Sequence, residues 1–272
     1  MKTDFRSVFF VSDRTGITTE ALGNALLTQF DGVLFKKEYI PFVDGENKAM
    51  QALIKINNRF DQTGEKPIVF TSIMNPVIRD KFKLSHIFHV DFFETYIPSL
   101  ESELGVSASH ALGMSHGMMD EDKYYKRMDA IDFSLANDDG VSAKNYADAD
   151  VVLVGVSRVG KTPTCLYLAV NYGIKAANYP LVETDLHSDK LPTILSPYHD
   201  KLFGLTIELE RLHNIRNHRL PGSDYADIKV CETEIAAAEA IMRRQNIPFL
   251  NTSKKSVEEI SVAIMQLIKL NR

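Results

Sequence analysis

The chain has 272 residues, 44% of them apolar and 25% charged, and a formal net charge of -5. That length reaches the size at which one hydrophobic core gives way to two domains, and the composition excludes a disordered chain. The net acidity, with no dense Lys/Arg stripe, argues against nucleic acid as a partner, and Cys165 and Cys231, single and far apart, supply neither a disulfide framework nor a C-x-x-C metal site.

In chain order, the apolar run at 8–12 predicts a strand, followed by the loop Asp13-Arg14-Thr15-Gly16 and a helix over 18–30. The run at 8–11 is too short for a signal-peptide core or a membrane span, so a cytoplasmic protein without a membrane anchor is expected. A strand at 38–42, a helix at 46–60 and a strand at 68–71 follow. Pro76 opens a helical stretch, 86–93 reads as a strand and 98–104 as a short helix ended by Gly105. Residues 1–105 are thereby expected to form an N-terminal α/β domain with an open parallel sheet, serving docking or dimerisation.

The periodicity breaks over 106–123, and the connector is placed at 106–145, with a helix at 124–135 and then Asp138-Asp139-Gly140. Residues 146–272 form the second domain, α/β and of phosphate-loop-kinase type. Its elements are a strand at 151–154, a helix continuing over 164–172, strands at 175–179 and 202–207, helices at 208–217 and 225–245, a strand at 247–250 and a final helix at 257–270. No internal sequence repeat is visible.

The chemistry concentrates after the strand at 151–154. Gly155-Val156-Ser157-Arg158-Val159-Gly160-Lys161-Thr162 completes the G-x-x-x-x-G-K-T pattern. The two glycines allow the turn that presents backbone N–H groups to a polyphosphate, Lys161 adds a mobile positive charge, and the Thr162 hydroxyl suits a magnesium ion. The helix behind the loop adds the favourable end of its dipole. Asp138 and Asp139 admit two readings, a metal-side or proton-accepting carboxylate pair or a plain helix-ending turn. His116, in the connector, is a candidate acid-base group or a surface histidine. Arg211, Arg216 and Arg219 fit either a closing arginine or a solvated helix face, with the second preferred. His86 and His89 are expected on opposite faces of one strand. The loop Ser12-Asp13-Arg14-Thr15-Gly16 offers a second anion site, or simply capping by Thr18 or Thr19. No N-K-x-D guanine reader occurs, which makes a GTPase unlikely.

The phosphate loop with Pro163 and Thr164, the segment Ala130-Ile131-Asp132-Phe133 before Asp138-Asp139-Gly140, and the opening Ser12-Asp13-Arg14-Thr15-Gly16 together resemble the bacterial phosphoenolpyruvate synthetase regulatory proteins. These are relatives of the pyruvate, phosphate dikinase regulatory proteins. The likeness continues through Ala176-Ala177-Asn178-Tyr179-Pro180, through 201–206 and through 256–260. It implies a bifunctional serine/threonine kinase and phosphorylase. Such a protein would use ADP and Mg2+ to phosphorylate a threonine of phosphoenolpyruvate synthetase and switch it off, and inorganic phosphate to remove that group as pyrophosphate. The resemblance also implies a homodimer. Under it, residues 155–162 hold the ADP phosphates, Thr162 the metal, and Lys161 with Asp138 or Asp139 acts in transfer. An ATP-dependent small-molecule kinase and a nucleotide sensor without chemistry remain open beside it.

Overall fold

The computed structural model describes residues 5–84, 86–109, 121–138, 143–188 and 190–268. The chain divides into two compact units, Met1–Gly117 and Met118–Arg272. In the first, β1 (Arg6–Ser12), β2 (Phe35–Ile40), β3 (Ile68–Ser72) and β4 (Phe88–Asp91) form a parallel sheet of order β2-β1-β3-β4. The central strand is apolar on both faces because both are covered. Phe9 and Val11 pack with Ala49, Leu53 and Ile56 of α2 (Glu46–Thr63), while Val8 and Phe10 pack with Phe70, with Leu27 of α1 (Ile17–Leu27) and with Phe92. Burial of each Phe, Val, Leu or Ile among these contributes about 1.5–3 kcal/mol.

The unit departs from sequence expectation at its last helix. Instead of a strand to 93 and a helix opened by Pro98, α4 runs Phe92–Leu104 with Pro98 inside it. The cause is Asp91, whose Oδ1 accepts from the Glu94 N–H at 2.7 Å and starts the helix as soon as β4 ends. A short helix, α3 (Pro76–Arg79), is capped in the same way by Asn75. His86 precedes β4 rather than sharing it with His89.

The second unit has β5 (Val151–Gly155), β6 (Ala176–Pro180), β7 (Leu202–Thr206) and β8 (Phe249–Asn251) in a parallel sheet of order β6-β5-β7-β8. This is the strand order of the first unit repeated. Helices α5 (Glu121–Ala136), α6 (Lys161–Tyr172) and α10 (Val257–Leu267) pack together, and α7 (Glu183–Leu186), α8 (Leu209–Arg219) and α9 (Ile228–Arg244) form a second group. The helix expected in the connector, α5, thus lies against the phosphate-loop helix. The helix expected from Tyr225 starts at Ile228, because Asp227 caps it by accepting from Lys229 and Val230 N–H at 2.8 and 3.3 Å. Tyr225 is left in a 3-10 turn, Asp224–Ala226, ahead of it.

Candidate active site

Residues 155–160 connect β5 to α6, at the carboxyl end of the sheet between β5 and β7, where the chain order switches sides and open α/β sheets bind ligands. Two glycines are required there for different reasons. At Gly155 a Cβ would stand 2.2 Å from the Leu205 carbonyl oxygen, so β7 itself forbids any larger residue. Gly160 faces open space but holds φ +94, and it turns the chain into α6. Between them Arg158 takes φ 78, a left-handed conformation costing a non-glycine residue about 1–3 kcal/mol. Among the described residues, the N–H groups of Ser157 to Gly160 donate to no backbone carbonyl. That leaves four donors at a helix N-terminus, the arrangement that cradles phosphate.

Lys161 is buried at 5% exposure, and its Nζ donates to the carbonyls of Gly155 and Val156, both at 2.9 Å. The ammonium therefore sits over the loop. Thr162, one residue on, donates its hydroxyl to Asp138 Oδ1 at 2.9 Å. Asn178 Nδ2 donates to the same Asp138 oxygen at 2.5 Å and to Thr162 Oγ1 at 3.2 Å. Asp138 is held in place through its chain neighbour, since the Asn178 N–H donates to the Asn137 carbonyl at 3.0 Å and so ties the end of α5 to β6. Asp138, which follows the end of α5, therefore also bonds across to α6 and β6. Thr162 and Asp138 present hard oxygen donors side by side, a donor set that suits magnesium.

The other flank was not legible in the sequence. Arg216, preferred there as part of a solvated face, is fully buried. Its guanidinium donates to Glu234 Oε2 at 2.6 Å, to the Ser157 carbonyl at 3.3 Å and to the Tyr225 carbonyl at 3.2 Å, and lies 4.3 Å from the Tyr225 ring centre. The Tyr225 hydroxyl pairs with Ser157 Oγ at 2.9 Å. Behind the loop, Thr252 donates to the carbonyls of Val159 and Thr206, both at 3.1 Å. Asn178, Tyr225 and Thr252 are the site residues that sequence reasoning did not single out, and Arg216, raised there, was given the wrong surroundings. Only Asn178 had a signal, lying in the segment 176–180 that carries the family likeness.

Cys165, on α6, is fully buried with its thiol pushed up by that burial, and its Sγ points to the Ala177 carbonyl at 3.5 Å, which makes it part of the core. Tyr179 is raised to about 12, first by burial and then by the Asp185 carboxylate it bonds at 3.2 Å. Asp139 and His116 lie outside the described residues. In the first unit, the buried hydroxyls of Ser12, Thr19 and Ser72 hydrogen-bond one another, and Asp13 accepts from the Met74 N–H at 2.8 Å. Those bonds tie the loop to α1 and β3, and burial raises the Asp13 carboxyl. Among the described residues no helix is long and apolar enough to cross a membrane.

The model of the family described as "Kinase/pyrophosphorylase" matches residues 8–265. A protein of Laribacter hongkongensis is 52% identical over 268 residues, and one of Neisseria meningitidis 50% identical over 267, each covering 98% of both chains. A Legionella pneumophila protein with the same coverage is 46% identical. All three carry the name "Putative phosphoenolpyruvate synthase regulatory protein". The phosphate loop with its paired Thr162 and Asp138 thus stands inside a match spanning nearly the whole sequence, and the chain belongs to the kinase/pyrophosphorylase family.

Proposed function

We propose that this protein regulates phosphoenolpyruvate synthase by transferring the β-phosphoryl group of ADP to a threonine of that enzyme, and by removing it again with inorganic phosphate. The observation that carries the reading is the Thr162–Asp138–Asn178 cluster beside the lysine-capped loop. Family membership supports opposed kinase and phosphorylase chemistry, and the relatives' names support the target. In the forward step the threonine oxygen bonds to the β-phosphorus, the bond from that phosphorus to the bridging oxygen breaks, and AMP leaves. In the reverse step an oxygen of inorganic phosphate bonds to the same phosphorus, pyrophosphate departs, and the threonine oxygen is reprotonated.

The chain's own groups divide this work. The 157–160 amides hold the phosphates, and Lys161 moves from the loop carbonyls onto the transferring group. Thr162 and Asp138 would hold magnesium, which neutralises charge on the phosphate oxygens when bound. Asp139 takes the proton of the acceptor hydroxyl and returns it in the reverse direction.

ADP labelled at the β-phosphorus tests this. Label should pass to synthase threonine and, on adding phosphate, into pyrophosphate. Label passing to a small metabolite would favour an ATP-type small-molecule kinase, and tight ADP binding with no transfer would leave a nucleotide sensor.

A further inference from the structure

The two flanks of the phosphate loop are braced by different residues. On one, Thr252 braces Val159, and the chain continues as the exposed Lys254 and Lys255 toward α10. On the other, Tyr225 and Arg216 brace Ser157, and Tyr225 is also a wall of a cavity of about 670 Å³ between α7 and α9. Glu183, His187, Asp224, Lys229 and Thr233 complete its polar lining, with Leu186, Val230 and Ala237 beneath. Glu234 lines it too, its charge already matched by Arg216. The remaining charge, Glu183 and Asp224 against Lys229, is negative, so the cavity is ill suited to a phosphate chain. Its volume lies in the range of sites that enclose a compact ligand, enough for a single side chain with its neighbouring backbone.

We propose that this cavity is the acceptor subsite, receiving a hydroxyl-bearing peptide segment with a basic side chain from the enzyme to be phosphorylated, an inference that rests on the functional reading above. The Tyr225–Ser157 contact sets the segment directly beside the phosphate cradle. Nucleotide then belongs to the flank of Lys254 and Lys255. Arg216 acts as a positioning residue, coupling the cavity wall at Tyr225 and Glu234 to the loop backbone at Ser157.

Glu183→Arg and Asp224→Arg test the assignment in the full-length protein, because both positions are exposed and tolerate substitution without loss of the fold. Three quantities are measured: thermal midpoint, ADP affinity by calorimetry, and KM for the intact synthase in ADP-dependent transfer. The expected result is a KM raised about tenfold or more, with ADP affinity within about twofold of wild type. Wild-type KM in both variants, while the wild-type protein transfers normally, overturns the subsite and leaves the functional reading standing. Weakened ADP binding at unchanged KM gives the cavity to the nucleotide and also overturns it. A wild-type protein that never modifies the synthase overturns the functional reading, and the subsite with it.

Discussion

Lys161, Asp138 and Arg216 each hold a different part of the phosphate loop, and each makes a separable prediction. Lys161→Ala removes the only ammonium bonded to the loop carbonyls among the described residues, so ADP affinity should fall about a hundredfold or more in calorimetric titration. Asp138→Asn keeps the shape but not the charge beside Thr162. Transfer should drop about a hundredfold in both directions while the fold survives, and unchanged rates would remove Asp138 from the mechanism. Arg216→Met strands Glu234 without its buried partner and should cost about 3 kcal/mol in urea unfolding. Combining it with Glu234→Leu should restore much of that stability without restoring transfer, because the Ser157 carbonyl remains unbraced. The lysine and its loop were readable because their chemistry is contiguous in the chain. Arg216 was not, since its partners are 9, 18 and 59 residues away and a charged helix face reads as solvated by default.

The elements are tuned by close approaches and buried polar pairs. At Gly204 on β7, a Cβ would fall 2.0 Å from Met242 Sδ and 2.6 Å from Phe249 Cβ, so α9 and β8 both rest directly on that backbone. Gly204→Ala should destabilise the second unit by about 2 kcal/mol in urea unfolding, part of which Met242→Ala relieves; a neutral single variant would contradict this packing. On β4, His89 is held below its usual value of 6.5, chiefly by burial, although Asp91 pulls the other way. Thr71 donates to Asp91 Oδ2 at 2.8 Å, so its oxygen is left to accept from His89 Nε2–H at 2.8 Å. The unfolded imidazole binds its proton at higher pH than the folded one, so this stability is complete above about pH 6.5 and is lost as pH falls toward the depressed value. Urea midpoints for wild type should decline as pH falls below about 6.5, and His89→Gln should flatten that decline. Equal slopes would contradict it. Strand and helix identities were largely legible from periodicity, whereas the start of α4 was not. There an Asp91 cap outweighed the usual reading of Pro98 as a helix opener.

Across the whole molecule, two parallel sheets share one strand order, and each sends its first strand through a left-handed glycine, Gly16 or Gly160, into a helix. No sequence repeat announces this, because Ile17 stands after the glycine where Lys161 stands in the second unit, and strand apolarity alone cannot reveal order. The expectation of an N-terminal α/β domain came from alternation of elements, and the structure gives that region its own core of Phe9, Ile56 and Val69 on one face and Phe10, Phe70 and Phe92 on the other. The core around Leu153, Leu168 and Phe203 belongs to the second unit. Residues 118–272 alone should therefore fold and bind ADP, yet fail to act on the synthase if the first unit docks it. Full action by that fragment would contradict a docking role.

The reaction we propose is reversible transfer between ADP and a threonine of the synthase at the 155–162 loop. It is tested most directly by the intact mass of substrate-charged phosphoenolpyruvate synthase after incubation with this protein, magnesium and ADP, with Lys161→Ala as control. One added phosphate on threonine with matching loss of synthase activity is expected, absent with the control, and reversed by inorganic phosphate with release of pyrophosphate. An unchanged mass while ADP remains bound would contradict it.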